Sequence, residues 1–149
     1  MAVIKPLFDT SKIRDNLQRV QSGIENAIIL ALQIRGEEFV SDCRNQQTWQ
    51  DQTGNLRSSI GYFIYKGSLL MFGDVQGSSE GQNAAESVAR QISKKDGVFY
   101  LIGVAGMNYA ADVESRGYNV ISNQSIATID LLNGDLQQLK DKFSKKYGL

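Results

Sequence analysis

The sequence predicts an α+β protein, in which a small and mainly antiparallel sheet packs against a long N-terminal helix and a C-terminal helix. Apolar residues recur at alternating steps of four and three over residues 10–44 and again over 126–143, which is the spacing of amphipathic helices. Between them lie three short segments rich in β-branched and aromatic residues, namely 60–65, 69–72 and 98–105. A short glycine-containing turn joins the first two segments, which is typical of a hairpin.

Length and charge limit the possibilities further. At 149 residues the chain is expected to form a single domain over 1–149, with residues 1–9 as an extended N-terminal arm. Sixteen basic and sixteen acidic residues give a net charge of zero, which argues against a dedicated nucleic-acid binder or a polybasic membrane anchor. No apolar run approaches the roughly 20 residues of a spanning helix, so no membrane partner is expected.

The long N-terminal helix carries a regular apolar seam. Its members are Ile13, Leu17, Val20, Ile24, Ala27, Ala31 and Ile34. Ile28 and Leu32 widen this apolar stripe, and the pattern continues weakly through Phe39, Val40 and Cys43. A seam at these spacings either packs on the protein's own sheet, which we favour, or pairs with another helix in a coiled coil.

The remaining segments follow from local signals. Residues 45–54 are polar around Trp49, which either tucks onto the core or anchors a partner. Glycine and polar residues predict a flexible loop over 73–83, followed by a helix over 84–95. Beyond the third strand, we expect a short helix over 108–115 and a short strand over 118–121. The C-terminal helix should then be capped by Ser122 or Asn123.

The chain lacks the residues on which most enzymes depend. It contains no histidine, and therefore no Ser-His or Cys-His nucleophile pair. Gly77–Gly81 spells the G-x-S-x-G pattern, but without a histidine we interpret it as a flexible loop. Cys43 is the only cysteine and fits a buried apolar position. We therefore expect no enzyme activity, no cofactor, no metal and no small-molecule substrate.

The three strand segments contain no charged residue, whereas a sheet with one wet face should alternate apolar and polar residues. Both faces must therefore be covered. Either helices of the same chain cover them, or one face meets another subunit. Composition leaves both possibilities open.

Two motifs add a family resemblance. Thr53-Gly54-Asn55-Leu56-Arg57-x-Ser59-Ile60 resembles the T-G-x-L-R-x-S-I segment of tailed-phage minor tail and neck proteins, and Tyr109-Ala110-x-x-Val113-Glu114, followed by Gly117, resembles their Y-A-x-x-V-E-x-G segment. The order of the predicted elements is similar too. Two departures concern the second motif: its glycine lies one residue further from the glutamate, and the proline-containing segment that often follows is absent.

The resemblance implies a structural protein of the virion. Such proteins are tail-completion, tail-terminator or head–tail joining subunits, which commonly form rings at the head–tail junction. The implied partners are further copies of the chain and other neck or tail proteins, with DNA present only as the contents of the channel. The subunit would be made in the cytoplasm of the bacterial host. The alternative is a small cytoplasmic binding or regulatory module acting as a monomer or dimer.

The motif residues then have expected roles. Gly54 and Gly117 would permit tight turns, and Leu56, Tyr109 and Val113 would pack. Ser59 and Ala110 are further members of the two motifs. Arg57 and Glu114 either pair, within or between subunits, or form a solvated surface pair worth about 0–1 kcal/mol.

Overall fold

The computed structural model describes residues 3, 4, 7, 9–46, 54–108 and 110–148. In chain order its elements are α1 (Thr10–Asn45), α2 (Asn55–Ser58), β1 (Ile60–Lys66), β2 (Leu69–Val75), α3 (Ser79–Gln91), β3 (Phe99–Ala105), α4 (Ala110–Ser115) and α5 (Ser122–Tyr147). The protein is α+β, as the sequence predicts, and α1 is an unbroken helix of 36 residues.

The three strands form one antiparallel sheet in the order β2-β1-β3. β1 and β2 make the expected hairpin, whose register shifts between Ile64 and Tyr65. β3 pairs with the other edge of β1, so that Ile60 lies opposite Ala105 and Lys66 opposite Phe99. β1 is therefore the central strand, and β2 and β3 are the edges.

One face of β1 packs against α1. Ile60, Tyr62 and Ile64 point to this face and are fully buried, together with Phe39 and Cys43 of α1. The helix approaches the strand closely at Gly36, because a Cβ placed there would lie 2.4 Å from the ring of Tyr62. Only glycine fits this position without displacing the ring.

The opposite face of β1 packs against α3. Ala85 and Ala89 are fully buried there, against Phe63 and Tyr65 of β1 and Ile102 of β3. The uncharged central strand is thus covered on both faces by helices of its own chain. The edge strand β2 is different, since it leaves Leu69, Leu70 and Met71 exposed.

α1 and α5, which are far apart in sequence, pack side by side and antiparallel. We call this pair of helices the helical hairpin. Arg35 bonds to Asp135, and Gln46, just beyond α1, bonds to Gln124 near the start of α5. In this register a residue of α1 lies beside the residue of α5 whose number brings the sum of the two to about 170. Tyr147, the last residue of α5, is therefore level with the middle of α1, and the first turns of α1 extend beyond it.

The expectation that the apolar stripe of α1 packs on the sheet is confirmed for one part of the stripe. The residues of α1 that contact the core of the sheet are those that widen or continue the seam, namely Ile28, Leu32, Phe39, Val40 and Cys43. The seam itself lies to one side of this contact, and Ile13, Leu17 and Ile34 are exposed. The expectation is wrong for these residues, because the sheet contacts only one edge of a broad apolar stripe.

Several predicted boundaries also change. The loop expected over 73–83 is confined to 76–78, because β2 continues to Val75 and α3 begins at Ser79. The strand expected over 118–121 is not a strand but the connection between α4 and α5. Trp49 lies outside the described residues.

Candidate functional site

The two motif segments meet at one end of the sheet. The first segment ends where β1 begins, and the second follows β3, which lies beside β1. The backbone N–H of Gly106 donates to the carbonyl of Ser59 at 3.1 Å, joining the two chain segments directly. We call this region, with the adjoining ends of α1 and α5, the motif junction.

The first segment forms a tight turn and a short helix. Gly54 has φ +72°, a backbone conformation suited to glycine, and leads into α2. Leu56 is only 1% exposed and belongs to the main core. Ser59 is equally buried, and its hydroxyl donates to the carbonyl of Leu56 at 2.8 Å. Thr53 lies outside the described residues.

Arg44 holds this short helix from the last turn of α1. Its guanidinium donates to the carbonyls of Arg57, Ser58 and Ile60 at 3.2, 3.4 and 2.9 Å. These carbonyls lie where α2 ends and β1 begins, and a cation suits the C-terminal end of a helix. Sequence reasoning did not single out Arg44, because its partners lie 13 to 16 residues further along the chain.

In the second segment the apolar residues pack on the core, and the acidic residue caps the helix α5. Ala110 and Val113 are partly buried against the same core as Leu56. Gly117 has φ +85° and makes the expected turn after α4. Tyr109 lies outside the described residues.

Glu114 supplies the N-terminal cap of α5. Its Oε1 accepts hydrogen bonds from the backbone N–H groups of Val120, Ile121 and Ser122 at 3.1, 2.7 and 3.1 Å, and its Oε2 accepts from the Ser122 hydroxyl. Ile121, at the N-cap position, has no side-chain oxygen to offer. A carboxylate at the positive end of the helix dipole is also electrostatically favourable.

The protonation of Glu114 reflects this role. Burial alone raises the pKa of its carboxyl, but the hydrogen bonds from Ile121, Ser122 and Val120 favour the charged form and outweigh burial. The pKa of Glu114 is therefore below its ordinary value, and the carboxylate is charged at neutral pH.

One expectation about this region is wrong. The caps of α5 are not Ser122 or Asn123 but Glu114 and Asn119, whose Oδ1 accepts from the Asn123 N–H at 3.0 Å. The cause is that the fold brings Glu114 to the start of α5. Within the part of the chain that the structure describes, Glu114 makes no ion pair with Arg57, and a pairing between subunits stays a prediction.

A buried amide completes the motif junction. Gln124 is 6% exposed, accepts from the Asn119 side-chain amide at 2.6 Å and donates to Gln46 at 3.0 Å. It thereby links the end of α1 to the start of α5. The polar side chains of the junction are engaged in holding chain segments together.

The motif junction also contains a cavity. A cavity of about 290 Å³ beside Glu114 has a mainly apolar lining that includes Val88, Val104 and Ile121. Among the described residues, no group of three or more histidine, cysteine, aspartate or glutamate side chains could hold a metal ion. Burial raises the pKa of the Cys43 thiol to about 12, which makes it a poor nucleophile.

The G-x-S-x-G pattern is also structural in its geometry. Gly77 and Ser78 lie in the turn between β2 and α3, and Ser79 is the first residue of the helix. The Ser78 hydroxyl accepts from the Gly81 N–H at 3.2 Å and caps α3. The interpretation as a flexible loop is wrong, because this serine starts a helix.

No protein-family model, curated protein or solved structure matches this chain. None of the helices in the described part of the chain is long and apolar enough to cross a lipid bilayer. Function must therefore be inferred from the residues and their geometry.

Proposed function

We propose that the protein is a structural subunit of a tailed-phage or prophage neck, of the tail-completion, tail-terminator or head–tail joining type. It would assemble at the head–tail junction as part of a ring around the DNA channel. Its partners would be further copies of itself and other neck or tail proteins. The chain would be made in the cytoplasm of the bacterial host.

The observation that carries this proposal is the motif junction. Two segments that resemble neck proteins lie about 50 residues apart in sequence, yet Gly106 bonds to Ser59, and Leu56 shares a core with Ala110 and Val113. The resemblance concerns only the residue types of the two segments, and a similarity of that kind does not by itself bring the segments into contact in the fold. Their packing supports treating them as one structural unit, and their polar groups support a scaffolding role.

The edge strand β2 also favours an assembly subunit. Leu69, Leu70 and Met71 are exposed along an edge whose charged residue, Asp74, lies near the other end of the strand. Natural edge strands usually carry charges or bulges that discourage pairing, and the register shift at Met71 interrupts β2 in this way. The exposed apolar side chains therefore fit a surface that a neighbouring subunit covers by side-chain contact.

The zero net charge fits a protein that surrounds DNA without gripping it. Affinity for DNA arises mostly from lysine and arginine contacts to phosphates. Sixteen acidic residues offset sixteen basic ones here. DNA would therefore be the contents of the channel rather than a ligand of the subunit.

Deleting the coding sequence from a phage or induced prophage that carries it tests the proposal. We expect filled heads and separate tails in the lysate, and joined particles when purified wild-type protein is added. A Leu70→Glu variant should fail to restore joining, whereas Ile92→Glu, at an exposed apolar site at the end of α3, should restore it.

Location in the particle provides the second readout. Antibody labelling of purified particles should mark the head–tail junction. Normal joined particles after deletion, together with no label at the junction, would overturn the proposal and leave the alternative of a small binding or regulatory module.

A further inference from the structure

The helical hairpin of α1 and α5 leaves a long apolar strip only partly covered, since Val20, Ile24, Ala27 and Ala31 are half-buried and the other members are exposed. The strip consists of the seam of α1 from Ile13 to Ile34, together with Leu30 beside it. Leu17 is 65% exposed and Leu30 58%, and Ile13 and Ile34 are about half exposed. Leu30 and Ile34 each lie two positions from Leu32, which places them about 200° around the helix from the side that packs on the sheet.

The two halves of the strip differ in shape. The first half, with Ile13 and Leu17, belongs to the turns of α1 that extend past the end of α5, and it presents bulky side chains. The second half lies beside α5 and forms an open groove of about 500 Å³. Residues lining this groove include Ala27, Leu30, Ala31, Ile34, Leu139 and Lys142.

We propose that this strip pairs two copies of the chain, with their α1 helices antiparallel across a two-fold axis. Ile13 and Leu17 of one copy would lie over Ala31 and Ala27 of the other, and the same contact would recur on the opposite side of the axis. Large side chains would thereby meet small ones, as close packing requires. α5 lies beside only the second half of its own α1, so the two α5 helices would flank opposite halves of the α1 pair.

Two observations support a second copy as the occupant. The seam repeats at steps of four and three over residues 13–34, the heptad spacing with which two helices pack against each other. The exposed Ile13 and Leu17 and the groove that includes Ala27 and Ala31 lie on the same helix, so that one chain carries both parts of the contact, as a two-fold axis demands.

The dimer does not depend on the neck proposal. A two-fold contact closes after two copies and cannot by itself generate a ring, so ring contacts would use other surfaces, such as the β2 edge. A dimer found for a protein absent from virus particles would uphold the pairing and overturn the neck function. A monomer that labels the junction would do the reverse.

Sedimentation equilibrium of the full chain tests the pairing. We expect the wild type, at about 100 µM, to have twice the chain mass of 16.5 kDa. Leu17→Glu should shift the protein to the monomer mass, with at least a tenfold weaker association. Ile92→Glu places the same charge at an exposed apolar site at the end of α3 and should remain dimeric. Circular dichroism verifies that both variants are folded.

Cysteine cross-linking tests the orientation. A mixture of Leu17→Cys and Ala27→Cys proteins should form a disulfide-linked heterodimer on mild oxidation, whereas Leu17→Cys alone should cross-link at least tenfold less. The native Cys43 is buried and should not interfere. A monomeric wild type, a dimer that survives Leu17→Glu, or efficient cross-linking of Leu17→Cys alone would each overturn the antiparallel dimer.

Discussion

Arg35 of α1 grips Asp135 of α5 with two parallel hydrogen bonds, from Nε to Oδ2 at 2.5 Å and from Nη2 to Oδ1 at 2.9 Å. The same guanidinium also reaches Glu38 on its own helix through Nη1 at 2.6 Å. Arginine is suited to this bidentate geometry, because its planar fork matches a carboxylate. The pair sets the register of the helical hairpin that carries the proposed dimer surface.

Removing the charge of Asp135 should destabilise the protein at neutral pH. The hydrogen bond from Arg35 holds the pKa of Asp135 below its ordinary value of 3.8, so the folded state favours the carboxylate. The resulting stability is complete above the unfolded pKa and is lost as pH falls through the folded pKa. We expect Asp135→Asn to lower the urea midpoint of unfolding at pH 7. The difference in urea midpoint between the variant and the wild type should become smaller below about pH 4.

Glu86→Gln is the matched control for that experiment. Glu86 pairs with Arg90 one turn away on α3 at 2.5 Å, but this pair is much more exposed. Exposed pairs contribute little, so the control should unfold near the wild-type midpoint. Equal effects of the two substitutions at pH 7, or a gap for Asp135→Asn that does not change with pH, would contradict the assignment.

Loss of the Glu114 side chain should loosen the start of α5. Three backbone N–H groups depend on its Oε1. Replacing a capping side chain by alanine typically costs about 0.5–2 kcal/mol of unfolding free energy, and we expect Glu114→Ala to fall in the upper half of that range. Asp112→Ala, on the exposed side of α4, should stay within about 0.5 kcal/mol of wild type.

Hydrogen exchange would locate the effect of the Glu114 substitution. The amides of Val120, Ile121 and Ser122 should exchange faster in Glu114→Ala than in the wild type. In Asp112→Ala their exchange rates should equal those of the wild type. Unaltered exchange at these three amides would show that other groups cap the helix.

Two glycines of α1 should respond to alanine in opposite directions. Gly36→Ala would place a methyl group 2.4 Å from the Tyr62 ring, so we expect a loss of about 1–3 kcal/mol. Gly23 has no neighbour within 4 Å of an added Cβ, and Gly23→Ala should gain about 0.5–1 kcal/mol through reduced freedom of the unfolded chain. Urea unfolding measures both, and a Gly36→Ala variant as stable as wild type would refute the close packing of α1 on β1.

The Cys43 thiol should be unreactive in the folded protein. Burial is the largest cause that raises its pKa to about 12, so very little thiolate exists at pH 8. We expect an aromatic disulfide reagent to modify Cys43 at least a hundredfold more slowly in the native protein than in urea. Rapid reaction without denaturant would place the thiol at an accessible surface instead.

Features that depend on neighbouring residues along the chain could be predicted from the sequence. The periodicity of α1, the glycine turn of the β1–β2 hairpin and the β-branched residues of β3 correctly predicted three elements. The turns at Gly54 and Gly117 and the burial of Leu56 and Cys43 are confirmed as well. The helix, the strands and the turns form through interactions between residues that are close in sequence. Leu56 and Cys43 are buried because an apolar side chain is more stable away from water.

Only the tertiary structure decided which groups meet across the chain. It chose α3 to cover the second face of β1, turned one edge of the apolar stripe of α1 to the sheet, and brought Glu114 to amides as far as eight residues away. It also placed Arg44 on carbonyls up to 16 residues further along. A local pattern indicates that a residue is apolar, charged or able to cap a helix. The packing of all elements together decides which group becomes its partner. The reason is that burying one polar group without a partner costs more free energy than a local conformational preference contributes.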